Sequence, residues 1–454
     1  MASAVEQLAK NANWGALAKA TDLKSRLLFV MGALLVYRLG TYIPVPGIDP
    51  HVWNEIFTQR GGGILDTLNL FSGGALSRMT IFALNIMPYI SASIIMQLAS
   101  AMSPQLEALK KEGPTGRMKI NQYTRYLTVL LATVQAYGLA VGLEGMQGES
   151  GSAVIDPGMF FRISTVITIV GGTVFLMWLG EQITQRGIGN GISLIIFAGI
   201  IAEWPSAIAG TLELGRQGAL SLIDLIVIFS MVFGVIVLVV FVERAQRRVV
   251  VQYPKRQQGN QMMGGDTNHI PLKLNTSGVI PPIFASSLLL LPLTIVGFSG
   301  ADGGDFTATI AQYLQHGQPV YMALYGGLIL FFCFFYTAIV FNPEENAETL
   351  RKYGGFVPGI RPGKNTADYL DYVLTRITVI GGIYLVFVCL TPEFMIAQYN
   401  IPFYSLGGTS LLIVVTVTLD TVAQIHSHLI AHQYEGLMKK AKLGKRRGMM
   451  RGMK

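Results

Sequence analysis

Residues 220–242 read LSLIDLIVIFSMVFGVIVLVVFV, a run in which Asp224 is the only charged side chain. A helix needs about 20 mainly apolar residues to cross the hydrocarbon layer of a bilayer, and this run meets that requirement. Nine further runs of similar character occur along the 454 residues. The sequence therefore predicts an all-α polytopic membrane protein with ten transmembrane helices.

The composition of the whole chain supports this prediction. Charged residues make up 13% of the sequence, against roughly 25% in soluble domains, and the mean hydropathy is +0.47. These values exclude a soluble enzyme. Cys333 and Cys389 both lie inside apolar runs, which favours two buried free thiols and excludes a secreted disulfide scaffold.

The ten predicted spans divide into two sets of five. Their bounds are 23–43, 78–101, 124–143, 159–180, 188–208, 220–242, 278–298, 319–341, 373–395 and 404–432. The first half covers 23–208 and the second half covers 220–432, with a connecting loop at 209–219. Residues 1–22 form an N-terminal segment, and residues 433–454 form a basic tail that is predicted to be disordered.

Basic residues decide which side of the membrane each loop occupies. An even number of spans places both termini on one side, and 29 of the 34 lysines and arginines fall on that side. Because cytoplasmic loops carry the excess of basic residues, both termini are predicted to be cytoplasmic. Orientation alone could explain this excess, but loops 249–273 and 342–376 are longer than tight helix connections and are typical of docking surfaces. A face this basic also attracts anionic lipids and polyanions.

Two helices with internal prolines occupy matching positions in the two halves. Span two contains IMPYISAS at 86–93, and span seven contains IPPIFASS at 280–287. Proline removes a backbone donor and interrupts a helix. Interrupted helices at equivalent positions indicate a transport pathway between two repeats, although prolines are also frequent in membrane helices for other reasons.

A short apolar segment at 61–77 lies between spans one and two. Its apolar residues at helical spacing are Ile64, Leu65, Leu68 and Phe71. The stretch is much shorter than the roughly 20 residues of a span, which predicts a re-entrant or interfacial helix. Three glycines precede it, and Gly73 and Gly74 follow, so both ends are predicted to bend freely and let the segment move. An immobile interfacial helix is the alternative.

Motifs for catalysis are absent from the sequence. It has no Gly-x-Ser-x-Gly, His-Glu-x-x-His or Walker sequence. His428 and His432 are one helical turn apart, but no carboxylate or cysteine completes a metal site. We therefore predict no enzymatic activity, cofactor or metal. Two functions remain from the residues alone: a passive channel driven by partners, or an inverted-repeat secondary transporter for a small solute. Asp420 alone lies deep in an apolar run, which favours the channel over a proton-coupled carrier.

Long motifs in this sequence resemble the SecY family, the channel subunit of the bacterial Sec protein translocase. The resemblance rests on NLFSGGAL at 69–76, MPYISAS at 87–93, GEQIT at 180–184, RGIGNGIS at 186–193, FVER at 241–244, FVPGIRPG at 356–363 and GGTSLLI at 407–413. These segments extend along nearly the whole chain. The resemblance implies two pseudo-symmetric five-helix halves around a central pore, with segment 61–77 as a plug on the external side.

The resemblance also implies residues for each part of such a channel. The ring at the waist of the pore would consist of Ile86, Ile90, Ile192, Ile196, Ile283 and Ile413. Isoleucine suits this place because a narrow apolar ring dewets and resists ions, and because its β-branched side chain is stiff. The lateral gate to lipid would contain Pro88, Ser91, Gln97, Pro281, Pro282 and Ser286.

The implied partners are SecE-type and SecG-type small membrane subunits, the motor ATPase SecA, the ribosome and unfolded polypeptides with signal sequences. The implied location is the bacterial plasma (inner) membrane. SecA or the ribosome would dock on the two basic loops through Lys255, Arg256 and Arg361. Asn85 departs from the small residue that the family has beside the ring, and we expect it to make the closed channel leakier than glycine would.

Overall fold

The structure is a computed structural model, and it describes most of the chain. The described residues are 21–59, 69, 71–148, 151–253, 256–258, 261–263, 267–298, 318–399 and 407–451.

Within the described residues, the first half of the chain contains seven helices and one small hairpin. Its helices are α1 (Thr21–Gly40), α2 (Pro50–Gln59), α3 (Met87–Met102), α4 (Pro104–Lys111), α5 (Pro114–Glu144), α6 (Met159–Arg186) and α7 (Gly191–Arg216). The strands β1 (Gln147–Gly148) and β2 (Gly151–Ser152) pair antiparallel between α5 and α6.

The second half repeats this pattern with a longer hairpin after its first helix. Its helices are α8 (Leu222–Arg244), α9 (Ile280–Phe298), α10 (Pro319–Val340), α11 (Pro343–Lys352), α12 (Lys364–Tyr399) and α13 (Gly408–Arg451). Its strands are β3 (Gln246–Gln252), β4 (Arg256–Gln258), β5 (Gln261–Met263) and β6 (Thr267–Lys273).

The single charge in residues 220–242 marks the beginning of α8. Asp224 Oδ2 accepts a hydrogen bond from the Ser221 main-chain N–H at 3.0 Å. Ser221 Oγ in turn accepts from the Ile223 N–H at 3.4 Å. This capping box satisfies donors that would otherwise be left free at the start of a helix.

Seven helices within the described residues are long and apolar enough to cross a membrane: α5, α6, α7, α8, α10, α12 and α13. The helices at the other three predicted spans fall short of that standard for identifiable reasons. Helix α1 carries Lys24, Arg26 and Arg38 within 20 residues. Helix α3 has only 16 residues, and the short apolar stretch of α9 covers Ile280–Leu289.

The prolines of spans two and seven stand at helix beginnings, which corrects the prediction of interrupted helices. Residues 78–86 form turns and a bridge, and α3 begins only at Met87. Met79 and Asn85 have φ angles of 45° and 47°, which a right-handed helix cannot contain. Pro88 then lies in the first turn of α3, where its missing N–H costs no hydrogen bond. Pro281 and Pro282 occupy the same position in α9.

Two predicted loop or tail segments are helical. Residues 209–216 continue α7 to Arg216, so the connection between the halves is shorter than predicted. Residues 433–451 extend α13 instead of forming a disordered tail. Both extensions are rich in residues with good helix propensity, such as leucine, lysine, arginine and methionine.

One apolar cluster joins the two halves. It contains buried residues of α1, α3, α6 and α7 from the first half and of α8, α9, α10, α12 and α13 from the second. Direct helix contacts across the halves include α3 with α9, α5 with α9, and α13 with α7 and α1. A separate cluster packs α2 against α5, α6 and the turns before α3.

The two loops predicted as docking surfaces lie side by side. Strands β3 and β6 pair antiparallel, with Val249 opposite Ile270, and Val249 and Val251 face a small apolar core of their own. The second loop joins this hairpin through reciprocal main-chain hydrogen bonds between Gln252 and Phe356, both of 2.9 Å. Loop 249–273 is thus largely a β-hairpin and forms one surface with part of loop 342–376.

Two adjacent glycines of α6 test how closely this helix packs against the turns before α3. A Cβ at Gly172 would collide with the Ile81 carbonyl oxygen in the turns before α3, whereas a Cβ at Gly171 would meet no atom within 4 Å. We expect Gly172→Ala to destabilise the protein by about 1–3 kcal/mol, as overpacking against a backbone atom does. Thermal unfolding of the purified protein in detergent measures the difference.

Gly171→Ala is the matched control, because it makes the same chemical change one residue away on the same helix. It should leave the melting temperature unchanged or raise it, since alanine has the higher helix propensity. Equal melting temperatures for the two variants would contradict the close approach of α6 to Ile81.

Candidate functional site

The six isoleucines of the predicted ring belong to one apolar cluster. Ile86, Ile90, Ile196 and Ile413 are buried members of that cluster, and Ile192 and Ile283 pack against it half-buried. The side chains come from the turn before α3 and from α3, α7, α9 and α13. Residues far apart in sequence, from both halves, therefore converge on the same apolar region.

The helices predicted to form the lateral gate contact each other. Helix α3 touches α9, and α9 also touches α5. Pro88, Pro281, Pro282 and Ser286 are buried, whereas Ser91 and Gln97 are half-buried.

Polar groups on the gate helices form hydrogen bonds within their own helix. Gln97 Nε2 donates to Ser93 Oγ at 3.3 Å, and Ser286 Oγ donates to the Ile283 carbonyl at 2.9 Å. These two bonds would survive a separation of α3 from α9.

A polar junction fixes the chain just before α9. Asn275 is 3% exposed, and its Nδ2 donates to Glu243 Oε1 of α8 at 2.6 Å and to the Gly278 carbonyl at 3.1 Å. Its Oδ1 accepts from the Gly278 N–H at 3.0 Å. The side chain therefore connects the end of one helix to the start of the next across the hairpin. Glu243 belongs to the FVER motif, but its partner could not be identified from the sequence.

Four side chains hold the main chain of residues 71–76, the C-terminal part of the predicted plug 61–77. Each donates a hydrogen bond to a carbonyl oxygen between residues 71 and 76. The pairs are Asn85 Nδ2 with Phe71, Tyr37 Oη with Ser72 at 3.2 Å, Arg38 Nη1 with Gly73 at 2.7 Å, and Trp53 Nε1 with Leu76 at 2.9 Å. The sequence did not identify Tyr37, Arg38 and Trp53 as partners of this segment. Tyr37 and Arg38 each lie 35 positions from the residue they bind, and Trp53 lies 23 positions from its own, so no local pattern relates them.

Gly73 and Gly74 allow this segment to pack closely against α7. Gly73 and Gly74 have φ angles of 64° and 81°, in the left-handed region that favours glycine. A Cβ at Gly73 would lie 2.7 Å from the Gly199 Cα of α7, and one at Gly74 would collide with Glu203 Oε1. In this structure the two glycines allow a tight contact with α7, and free bending of this end stays a prediction.

Asn85 makes a contact that the sequence did not predict. It is 2% exposed, and its amide donates to the Phe71 carbonyl, which attaches it to the C-terminal part of the predicted plug. Its Oδ1 has no hydrogen-bond partner among the described residues. The effect of Asn85 on the leak of the closed channel stays a prediction.

The predicted docking residues are only partly described. Arg361 is exposed, and Arg247 and Arg248, which the sequence analysis did not single out, are exposed on β3 of the adjoining hairpin. Arg256 lies in β4. Lys255 lies outside the described residues, as do the plug residues Ile64, Leu65 and Leu68.

The cysteines agree with the sequence analysis. Cys333 and Cys389 are both free and buried. Within the described part of the chain, no group of three or more His, Cys, Asp or Glu side chains is placed to hold a metal ion.

Comparison with known proteins identifies the family. The family model described as SecY matches residues 80–422. The protein translocase subunit SecY of Rickettsia conorii is 58% identical over 422 residues, which cover 93% of this chain and 97% of that protein.

Solved structures share the fold. One, described as a SecY protein whose plug domain stabilises the closed state, superimposes with a TM-score of 0.62 at 20% identity, covering 89% of this chain and 92% of its own. Another, Sec61 in the canine ribosome-channel complex, has a TM-score of 0.59 at 19% identity, again covering 89% of this chain and 92% of its own. With more than half of its sequence identical to a curated translocase subunit across nearly its full length, this chain belongs to the SecY family.

Proposed function

We propose that this chain is the channel-forming subunit of a bacterial Sec translocase, which passes unfolded secretory polypeptides across the plasma membrane. The observation that carries the proposal is the convergence of six isoleucines from both halves in one apolar cluster of a SecY-family chain. The channel has no chemical step, and SecA or the ribosome drives the movement of the polypeptide.

The isoleucine ring acts as a seal that accepts many sequences. Apolar side chains around a narrow opening exclude water and therefore ions. Isoleucine side chains also form no hydrogen bonds, so an unfolded chain of any sequence can pass without breaking hydrogen bonds to the ring. The β-branched side chains keep few rotamers and hold the width of the opening.

The contact between α3 and α9 provides the lateral exit. A hydrophobic segment inside the channel gains about 0.3–0.6 kcal/mol for each Leu, Ile, Phe or Val that enters lipid at the helix centre, whereas each Asp, Lys or Arg costs about 2.5–3.5 kcal/mol. The channel thus separates membrane helices from secreted chains by partition. Because Gln97 and Ser286 bond within their own helices, opening this contact leaves those bonds intact.

The surface formed by the β3–β6 hairpin and the loop around Arg361 receives the cytoplasmic partners. Its exposed arginines suit the phosphates of ribosomal RNA or an acidic face of SecA. The asymmetry of basic residues supports cytoplasmic termini and contact with anionic lipids. SecE-type and SecG-type subunits complete the assembly.

Crosslinking tests the polypeptide path. In a chain with Cys333 and Cys389 replaced by alanine, Ile86→Cys or Ile283→Cys should capture a secretory polypeptide stalled in the channel, because both side chains line its path. Phe233→Cys on α8 is the control, since Phe233 is 69% exposed on the outer surface of the helices. Failure to capture at either position, together with saturable uptake of a small solute, would favour the transporter.

Charge reversal tests the docking surface. Arg361→Glu should lower SecA- or ribosome-driven export several-fold without changing the amount of folded channel, because the residue is exposed and its charge faces the partner. Arg216→Glu, another exposed arginine, lies on the opposite predicted face and should leave export unchanged. An export rate for Arg361→Glu equal to that of the parent would remove this residue from the docking surface.

A further inference from the structure

Asp420 is a charged residue inside an apolar run, and neither the ring nor the gate accounts for it. It lies on α13 seven residues after Ile413 of the predicted ring, and seven residues make about two turns of helix. Asp420 is therefore on the same side of α13 as Ile413, about 10 Å closer to the predicted cytoplasmic end. Its side chain is 60% exposed, whereas residues 411–417 are all buried. The carboxylate thus faces open space on the predicted cytoplasmic side of the ring.

Two further charged side chains meet Asp420 at this level. Lys273 Nζ, at the end of β6, lies 3.9 Å from Asp420 Oδ1. The charges of Lys273 and Asp420 both act on Glu243 near the end of α8, and Glu243 Oε1 accepts the hydrogen bond from Asn275 at 2.6 Å. We call Glu243, Lys273 and Asp420 the charged cluster. Because two carboxylates share one lysine, the cluster has an excess of negative charge.

A buried hydroxyl without a partner lies beside the cluster on α13. Thr416 is one helical turn from Asp420 on the same side of the helix and is 7% exposed. Its Oγ1 has no hydrogen-bond partner among the described residues. Thr418 and Thr421 of the same helix differ, since each donates to the carbonyl four residues earlier at 2.7 Å. Thr416 therefore has an unused hydrogen-bonding group next to the Asp420 carboxylate.

A second hydroxyl of this kind comes from α12. Tyr384 is 8% exposed, and its Oη also lacks a hydrogen-bond partner in the part of the chain that the structure describes. The charge of Glu243 acts on this hydroxyl. A buried hydroxyl without a partner is unfavourable, and a hydroxyl oxygen can accept from the N–H of a cation. Both carboxylates thus have an unpaired acceptor close to them.

Lys273 satisfies this site only weakly. Its separation of 3.9 Å from Asp420 is long for a charge-assisted hydrogen bond, and the lysine side chain is 60% exposed. Ion pairs with this exposure contribute little to stability. Another ammonium or guanidinium group can therefore replace Lys273 at small cost, and it can add bonds to hydroxyls that Lys273 does not reach.

We propose that Asp420 and Glu243, with the hydroxyls of Thr416 and Tyr384, form a recognition site for the basic side chains at the start of a secretory polypeptide. The ligand is the ammonium group of a lysine or the guanidinium group of an arginine. It displaces Lys273 from Asp420 and donates to the carboxylates and the hydroxyls. This inference rests on the proposed channel function and names the part of the substrate that this site binds.

The position of the site suits the order of residues in a signal sequence. Such a sequence has a positively charged segment followed by an apolar core of about 7–15 residues. Basic residues held at Asp420 place the start of that core about two helical turns from the ring. The core then reaches the contact between α3 and α9, through which it can enter lipid.

Neutralisation of Asp420 tests the site. The channel is reconstituted with SecA in vesicles of one fixed lipid composition, and two forms of a secretory polypeptide are compared. One carries lysines before its apolar core, and the other carries glutamines at the same positions. Asp420→Asn keeps the shape of the side chain and should lower the ratio of lysine-form to glutamine-form export about 2- to 5-fold, as the loss of one exposed ion pair does.

Variants with other charges separate recognition from a structural role. Lys273→Gln removes the competing cation and should raise the same ratio. Asp420→Lys should reverse the preference, so that a polypeptide with glutamates before its core is exported better than the lysine form. Glu112→Gln is the matched control, because Glu112 is an exposed acid just after α4 and should leave the ratio at the parental value.

The outcomes distinguish this inference from the proposed function. If the parent captures a stalled polypeptide at Ile86→Cys but Asp420→Asn keeps the parental ratio, the recognition site is wrong and the channel function stands. An equal loss of export for both forms of the polypeptide would give Asp420 a role independent of substrate charge and would also overturn the site. If the parent captures no polypeptide, the channel function fails and the inference fails with it.

Discussion

The apolar contact between the two helical halves is the constraint on which the other features depend. Helices α3 and α9 meet through side chains that are mostly apolar, and the ring isoleucines belong to the same cluster. Inside a membrane, lipid tails are as apolar as leucine. Separating such helices therefore costs van der Waals contacts between them, but the apolar side chains that become exposed are covered by lipid. An interface of this kind can therefore open towards lipid and close again at modest cost, which a polypeptide channel with a lateral exit requires.

Directional polar bonds occur where the chain has to keep its place. Asn275 connects α8 to the beginning of α9, and main-chain carbonyls of residues 71–76 bind side chains of the first half. Because a buried donor or acceptor that loses its partner carries a large penalty, these contacts resist displacement in a way that apolar contacts do not. Apolar contacts can shift without leaving a buried polar group unpaired, whereas these hydrogen bonds oppose displacement.

Most of the architecture could be predicted from the sequence, but several local assignments could not. Apolar runs located the helices, and the proline motifs of spans two and seven were recognised as matching features. Their role was misjudged, because Pro88 lies in the first turn of α3 and follows two residues with positive φ. Hydropathy does not predict such backbone angles. Gly73 and Gly74 were predicted to act as flexible points because glycine adopts many backbone conformations. In the structure, the lack of a side chain at these positions lets the main chain lie close to α7.

The amino-acid sequence by itself located seven membrane-capable helices and the family, and it predicts the side on which the basic loops lie, because each depends on local composition or on long motifs. The free energy of transferring a segment into lipid is approximately the sum of contributions from its own residues, so it can be calculated without knowing which residues pack against the segment. Only the tertiary structure decided that Asn85 binds the Phe71 carbonyl and that Gln252 joins the two cytoplasmic loops through Phe356. Such bonds depend on short distances between residues that the path of the chain brings together, and no local pattern encodes that path.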